Sequence, residues 1–272
     1  MEFILAALLS GFFLFNSQAT PGKAEHIMEK ALRQQFPTAQ TVDVSVEGKR
    51  GRNVLRGKFD TVRVDLAGFG RITGLPLMAA PQADKTGHLG RLELQLRDFT
   101  FNDLKVESAN FAFNDVTYNR EGLQKHSLLQ IVKSGPASAR LAVPVSALES
   151  LAAARFKDVQ NARFSAHNGA VRVTGKRPLG LLGIAVPFTL TAKPEIRNGN
   201  EIWLTEPRVA VENVTGMSIP AGSLIANLNP VYVFDPDRKM PFRIQGTGIQ
   251  ARDNRLELSA DLTFLPAPQA GP

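Results

Sequence analysis

The sequence predicts an α+β protein in which a strongly curved antiparallel β-sheet, a meander of roughly ten strands, wraps around one or two helices. Apolar and polar residues alternate along most of the chain, turn residues separate the alternating segments, and few segments show helical periodicity. So few helices cannot cover one face of a long flat sheet. The sheet must therefore curl to cover its own apolar face.

The N-terminal segment resembles a targeting sequence. An apolar run from Phe3 to Phe15 has the length of a signal peptide and is short for a membrane span. Glu2 stands where such a peptide ordinarily carries Lys or Arg, which favours an uncleaved anchor as the alternative. We predict that residues 1–22 are a signal peptide or N-terminal anchor and that residues 23–272 form a single domain.

The first helix is predicted over residues 23–37. Ile27, Ala31 and Leu32 form an apolar stripe with helical spacing, and Pro37 ends the helix.

Period-two alternation then dominates the chain and predicts half-buried strands. The clearest segments are TVDVSVEG, DTVRVDLAG, RLELQLRDFTF, NFAF, AVRVTG, PFTLTA, EIWLTE, RVAVEN, FRIQGTGIQ and RLELSADLTF. Residues 167–169, 197–200 and 252–254 combine Asn, Asp and Gly between such segments, so they are predicted to be hairpin turns.

Two later segments are predicted to be helical. Ser146 and Glu149 have the spacing of a capping box and precede the helical pattern SALESLAAARF. Residues 122–135 are predicted to form a short second helix that ends at Gly135.

The sequence gives little support to catalysis, and we predict no enzyme activity, cofactor or metal site. Its four histidines are scattered, it has no cysteine, and it lacks the G-x-S-x-G elbow of serine hydrolases.

The net charge of +7 favours anionic partners. The basic stretch EGKRGRNVLRGKFD has enough cations to hold phosphates, but aromatic residues for base stacking are scarce, with one Trp and two Tyr in the chain. We therefore predict no nucleic-acid partner.

The order of elements resembles the LmeA-like phospholipid-binding family of bacterial cell-envelope proteins. The resemblance starts with the segment KALRQQFPTAQTVDVSVEGKRGRNVLRGKFDTVRVDLAGF. It continues through GLPL, ARLAVPVSALESLA, HNGAVRVTG and PFRIQGTGIQARDNRLELSADL.

This resemblance implies a tubular lipid-binding architecture like that of bactericidal/permeability-increasing proteins. It also implies binding of anionic phospholipid and a role in lipid transfer or maintenance in the envelope. The net charge of +7 would hold such a carrier near an anionic membrane surface. We accordingly expect an exported protein of the cell envelope or periplasm. The resemblance transfers no site residues.

The stretch KRPLGLLGIAVPF suggests where lipid could bind, because it places many apolar residues among Gly, Pro and basic residues. We predict that this stretch and GLPLMAAP form two lips of an apolar groove, with cations at the rim to meet the headgroup phosphate. The predicted lipid-binding residues are Leu75, Leu77, Met78, Lys176, Arg177, Leu179, Leu181, Leu182 and Ile184.

Two other functions stay open at this point. In one, the protein is a structural or scaffolding envelope protein whose apolar faces are filled by its own side chains. In the other, it is a lipid-modifying hydrolase. Phospholipid that co-purifies with the protein would favour the binding function.

Overall fold

The computed structural model describes residues 20–48, 53, 56–72, 77–80, 83–101, 103–120, 129–149, 159–179, 184–211, 221–226, 229–234 and 241–267. These residues are mostly in β-strands that form two sheets, with few helices. The predicted signal peptide or anchor lies largely outside them.

The larger sheet has nine strands. They are β1 (Thr41–Glu47), β2 (Lys58–Ile72), β3 (Leu77–Ala79), β4 (Thr86–Phe101), β5 (Leu104–Asn119), β6 (Leu129–Lys133), β7 (Ala137–Pro144), β13 (Phe242–Arg252) and β14 (Arg255–Phe264). The main path runs β1-β2-β4-β5-β7-β14-β13, while β6 pairs with β5 and β3. The β2–β4 and β3–β6 pairs are parallel, and the other pairs in this sheet are antiparallel.

The smaller sheet has five strands: β8 (Gln160–His167), β9 (Ala170–Leu179), β10 (Ile184–Arg197), β11 (Glu201–Val211) and β12 (Tyr232–Val233). They are consecutive and antiparallel in the order β12-β11-β10-β9-β8. Among the described residues, the structure gives bounds for two helices, α1 (Pro21–Gln35) and the short α2 (Ala221–Ala226).

Two features of the predicted fold differ from the structure, and a third is seen only in part. The described residues contain fourteen strands in two sheets, where roughly ten strands in one meander are predicted. The predicted helix over residues 122–135 is wrong over Leu129–Lys133, which form strand β6. There, Ile131 pairs with Tyr118 of β5 and is buried, so sheet pairing determines the local structure. The predicted helix after Ser146 is helical over 147–149, and the rest of it lies outside the described residues.

The large sheet bends where neighbouring strands interrupt their pairing. The register between β2 and β4 shifts between Ala67 and Gly70, and Asp98 of β4 has a φ of 51°. Asp115 of β5 has a φ of 50°, and Gly68 and Gly70 also have positive φ. An extra residue at a bulge bends a strand and increases its twist, so these positions curl the sheet.

Aromatic contacts show how far the sheet curls. Phe113 on β5 and Phe242 on β13 have ring centroids 5.2 Å apart, although β7 and β14 lie between their strands. In a flat sheet, strands three positions apart are separated by roughly 14 Å. The small side chains of Ala137 and Ala139 on β7 leave room for the rings to meet across the concave face.

Helix α1 packs into the large sheet. Thr20 caps it by accepting a hydrogen bond from the Lys23 N–H at 3.4 Å, and Pro21 occupies its first turn. The residues that it buries are Ala24, Met28, Leu32 and, just beyond its end, Phe36. The predicted helix is thus confirmed, with Ala24 and Met28 as parts of its buried stripe that the sequence prediction missed.

Two apolar cores result. One consists of α1 and the concave face of the large sheet, and the other lies under the small sheet beside α2 and the ends of β13 and β14. Leu141 of β7 packs against both cores. The two cores therefore meet at Leu141, between the large sheet and the small sheet.

Candidate functional site

An apolar cavity lies between the concave face of the large sheet and the β10–β11 hairpin of the small sheet. The large sheet contributes Leu96, Phe99, Phe101, Phe111, Leu141, Phe242, Ile244 and Leu262 among others. The small sheet contributes Ile196 and Ile202 from the hairpin, and Phe234 lies just after β12. Residues far apart in sequence thus form one wall.

The open space inside the cavity is small. Its space between atoms is about 860 Å³ when the open mouth is included, and about 70 Å³ is open to the centres of water molecules. One water molecule needs roughly 10–15 Å³ of the space that is open to water centres. The cavity therefore has room for several water molecules.

Two polar side chains at the wall, those of Glu201 and Asn200, already have hydrogen-bond partners. The Glu201 carboxylate accepts hydrogen bonds from Asn198 Nδ2 at 3.0 Å and from Trp203 Nε1 at 2.7 Å. Asn200 Nδ2 donates to the Phe234 carbonyl at 2.9 Å, and the Phe234 N–H donates to the Asn200 carbonyl at 2.9 Å. The surface left to the cavity is almost wholly apolar, and an apolar cavity favours hydrocarbon over water.

Partly exposed apolar side chains mark where the cavity reaches the surface. Phe101, Phe111, Ile196, Phe234 and Ile244 all line it, and all are half-buried. Deeper in the cavity, Phe99 and Phe242 are buried. A ligand could therefore enter past the half-buried residues and contact the buried ones.

The two sheets touch beside this cavity at a pair of glycines. The Gly246 N–H of β13 donates to the Gly199 carbonyl in the β10–β11 turn at 2.7 Å. A Cβ on Gly246 would lie 2.5 and 2.7 Å from two side-chain carbons of Ile196. Gly246 therefore allows the hairpin to approach the large sheet and places Ile196 in the cavity wall.

The residues predicted from sequence lie in two other places. Leu77 and Met78 belong to β3 of the large sheet, while Lys176, Arg177, Leu179 and Ile184 belong to β9 and β10 of the small sheet. Leu179 pairs with Ile184 at one end of the β9–β10 pair. Lys176 is exposed and Arg177 is half-buried, and successive strand residues point to opposite faces of a sheet.

Those predicted residues are not among the described residues that line the cavity. Ile184 is twelve residues from Ile196 along β10, or roughly 40 Å of extended strand. Leu75, Leu181 and Leu182 lie outside the described residues, as do the side chains of Leu77, Met78, Leu179 and Ile184. The two predicted lips stay a prediction.

Sequence reasoning missed the residues of this cavity. A usable signal was present, because Ile196 and Ile202 flank the Asn-Gly-Asn turn and place apolar side chains beside a hairpin tip. Their partners on β4, β5 and β13 cannot be identified without knowing how the large sheet curls.

The described ranges contain no cluster of three His, Asp or Glu residues that could hold a metal ion. Likewise, no helix within them combines the length and apolar composition needed to cross a bilayer.

Comparison with known proteins identifies the family. Residues 85–261 match the family described as LmeA-like phospholipid-binding, a span that covers nearly two thirds of the chain and runs from just before β4 into β14. No curated protein and no solved structure matches the chain. The matched span includes β4, β5, β7, β10, β11 and β13, which contribute most of the residues that line the cavity, and the chain belongs to the LmeA-like phospholipid-binding family.

Proposed function

We propose that this protein binds phospholipid without catalysis, holds acyl chain in the cavity between its two sheets, and supports lipid transfer or maintenance in the cell envelope. The apolar cavity, lined from both sheets, carries the proposal. The family to which the chain belongs supports a phospholipid as the ligand.

A protein of this kind has to distinguish lipids by their headgroups, because the acyl chain gains little free energy on transfer from a bilayer. Moving a methylene from water to an apolar site gains roughly 0.8 kcal/mol, but an acyl chain in a bilayer is already out of water. The cavity therefore needs to be only about as apolar as the bilayer interior to accept an acyl chain. The net charge of +7 supports a preference for anionic headgroups and for a membrane surface.

The proposed architecture is a tube in which the cavity forms part of a longer apolar passage. Support comes from the curled large sheet and from the contact of both apolar cores with Leu141. We also propose an exported location in the envelope or periplasm, with residues 1–22 as a signal peptide or anchor. The composition of the N-terminal segment supports this location.

Mass spectrometry of organic extracts tests the proposal. We expect phospholipid in extracts of gently purified wild-type protein and much less in extracts of Ile244→Glu, because burying a carboxylate beside an acyl chain is unfavourable. Gln245→Glu is the matched control, since Gln245 is the exposed neighbour of Ile244 on the same strand.

Three results would contradict the proposal. Wild-type protein without lipid would favour the scaffolding function, in which the chain fills its own interior. Equal lipid in a folded Ile244→Glu variant would exclude this cavity as the site. Turnover of a phospholipid ester or phosphodiester by the wild-type protein would favour a hydrolase.

The predicted lips are tested separately with Leu181→Asp combined with Leu182→Asp. Loss of lipid from the folded double variant would confirm the hairpin as part of the site. Unchanged lipid content would exclude it and leave the cavity between the sheets as the site.

A further inference from the structure

Positive charge is concentrated on the small sheet. Its five strands contain seven Lys or Arg residues and three Glu, which gives a net charge of +4. The nine strands of the large sheet contain eleven Lys or Arg and ten Asp or Glu, a net charge of +1. The smaller surface thus carries most of the excess charge found in the strands.

Strand pairing gathers part of this charge on the outer face of the small sheet. Thr191 of β10 lies opposite Arg172 of β9 on one side and opposite Arg208 of β11 on the other. Residues paired in this way point to the same face, so the two arginines lie roughly 10 Å apart, on either side of β10. Lys176 follows Arg172 on the same face, roughly 13 Å further along β9.

These three cations differ from Lys193 and Arg197 nearer the β10–β11 turn, which are ion-paired. Lys193 pairs with Glu206 at 2.7 Å and Arg197 pairs with Glu195 at 3.2 Å. Arg172, Lys176 and Arg208 are exposed, and in the ranges that the structure describes none of them has an acidic side chain within ion-pair distance.

Hydroxyl groups lie between these three cations. Thr174, Thr189 and Thr191 are half-buried on the same face, and Arg172 Nη2 donates to Thr189 Oγ1 at 3.5 Å. Hydroxyls and guanidinium groups both donate hydrogen bonds to phosphate oxygens. The face therefore offers charge and donors spread over a surface.

We infer that this cationic face, formed by Arg172, Lys176 and Arg208 with the threonines between them, docks the protein on an anionic lipid bilayer. The inference rests on the proposed function, because a protein that takes up phospholipid must meet a membrane. Cations 10–13 Å apart do not converge on one small anion, whereas a bilayer presents phosphates at many positions. Thr rather than aromatic residues separate them, which is unfavourable for stacking of nucleic-acid bases.

Co-sedimentation with vesicles tests the docking face. Wild-type protein should sediment with phosphatidylcholine vesicles that contain phosphatidylglycerol and much less with phosphatidylcholine alone, and added salt should weaken the binding. Each cation near an anionic surface is worth roughly fivefold in binding, so R172Q/R208Q should bind the anionic vesicles roughly 30-fold more weakly. The control K105Q/R243Q removes the same charge from exposed positions of the large sheet.

A second measurement separates this inference from the proposed function. Uptake of a soluble short-chain phospholipid should be normal in R172Q/R208Q and reduced in Ile244→Glu, while Ile244→Glu should still bind anionic vesicles. Equal vesicle binding by R172Q/R208Q and wild type would overturn the inference, as would an equal loss in the control. Wild-type binding to soluble polyphosphate without binding to anionic vesicles would also overturn it, in favour of a polymer partner.

Discussion

The close contact between the two sheets at Gly246 requires a residue without a side chain. Its amide donates to the Gly199 carbonyl, and Ile196 fills the space where a Cβ would lie. Nearby on the same strand, a Cβ on Gly248 would meet no atom within 4 Å. The two glycines therefore form a matched pair for mutation.

We predict that Gly246→Ala lowers the free energy of unfolding by about 1–3 kcal/mol, because the methyl group forces Ile196 or the hairpin to move. Gly248→Ala should lie within about 0.5 kcal/mol of wild type or above it. Urea unfolding of both variants checks this. Equal stability of the two variants would show that the close approach at Gly246 is unimportant.

Tyr118 is a buried residue whose ionisation should be visible in stability. Its hydroxyl donates to the Gly57 carbonyl at 3.0 Å, and desolvation by burial raises the pKa of Tyr118 above its ordinary value near 10. Above that pH the unfolded chain loses the phenolic proton while the folded protein keeps it. Stability should therefore fall as pH rises beyond about 10.

Tyr118→Phe tests this linkage. Loss of the buried hydrogen bond should lower the unfolding free energy by about 1 kcal/mol at neutral pH. Above about pH 10, the unfolding free energy of the variant should fall less steeply with pH than that of the wild type. Urea titrations at several pH values would measure both slopes. A variant with the same alkaline slope as wild type would contradict the assignment.

At the scale of the elements, α1 both fills the core and covers an exposed sheet edge. Its Glu25 and Glu29 carboxylates accept hydrogen bonds from the Val46 and Val44 N–H groups of β1 at 2.8 and 3.4 Å. Arg33 also donates to the Val42 carbonyl at 3.0 Å. Because β1 is an edge strand, these bonds occupy groups that could otherwise pair with another chain.

We expect Glu25→Ala combined with Glu29→Ala to destabilise the protein by about 1 kcal/mol for each bond lost and to promote self-association. Sedimentation velocity would detect the association. Lys30→Ala combined with Gln34→Ala changes exposed residues of the same helix and should leave the protein monomeric or in its original oligomeric state. Association of both double variants to the same extent would contradict a specific role for the two carboxylates.

The elements that could be predicted from sequence are those with a long, regular period. The alternation of TVDVSVEG and RLELSADLTF corresponds to β1 and β14, and the Asn-Gly turns join β8 to β9 and β10 to β11. Short elements such as β3, β6 and β12 have too few residues to show a period. Their structure depends on pairing with distant strands, as the strand at Leu129–Lys133 illustrates.

At the scale of the whole molecule, sequence patterns predicted a curled sheet but neither its division into two sheets nor the parallel β2–β4 pair. Alternation identifies the buried face of a strand without identifying its neighbour. The cavity was missed for the same reason, since Phe111 and Ile196 become neighbours only after the large sheet bends and the hairpin closes over it. The family could be predicted because the sequence segments follow one another in the order that is typical of the family.

We propose that the two sheets enclose apolar space which the chain does not fill and which receives an acyl chain. The absence of cysteine makes a direct measurement simple, because a single introduced thiol is unique. Ile244→Cys places it at the cavity wall, and Gln245→Cys places it on the exposed face of the same strand.

The rate of maleimide labelling should be measured for each variant before and after loading with phospholipid. Bound lipid should slow the labelling of Cys at position 244 and leave the labelling rate at position 245 unchanged. Equal rates at position 244 with and without bound lipid would contradict the proposal, since the lipid would then occupy some other part of the protein.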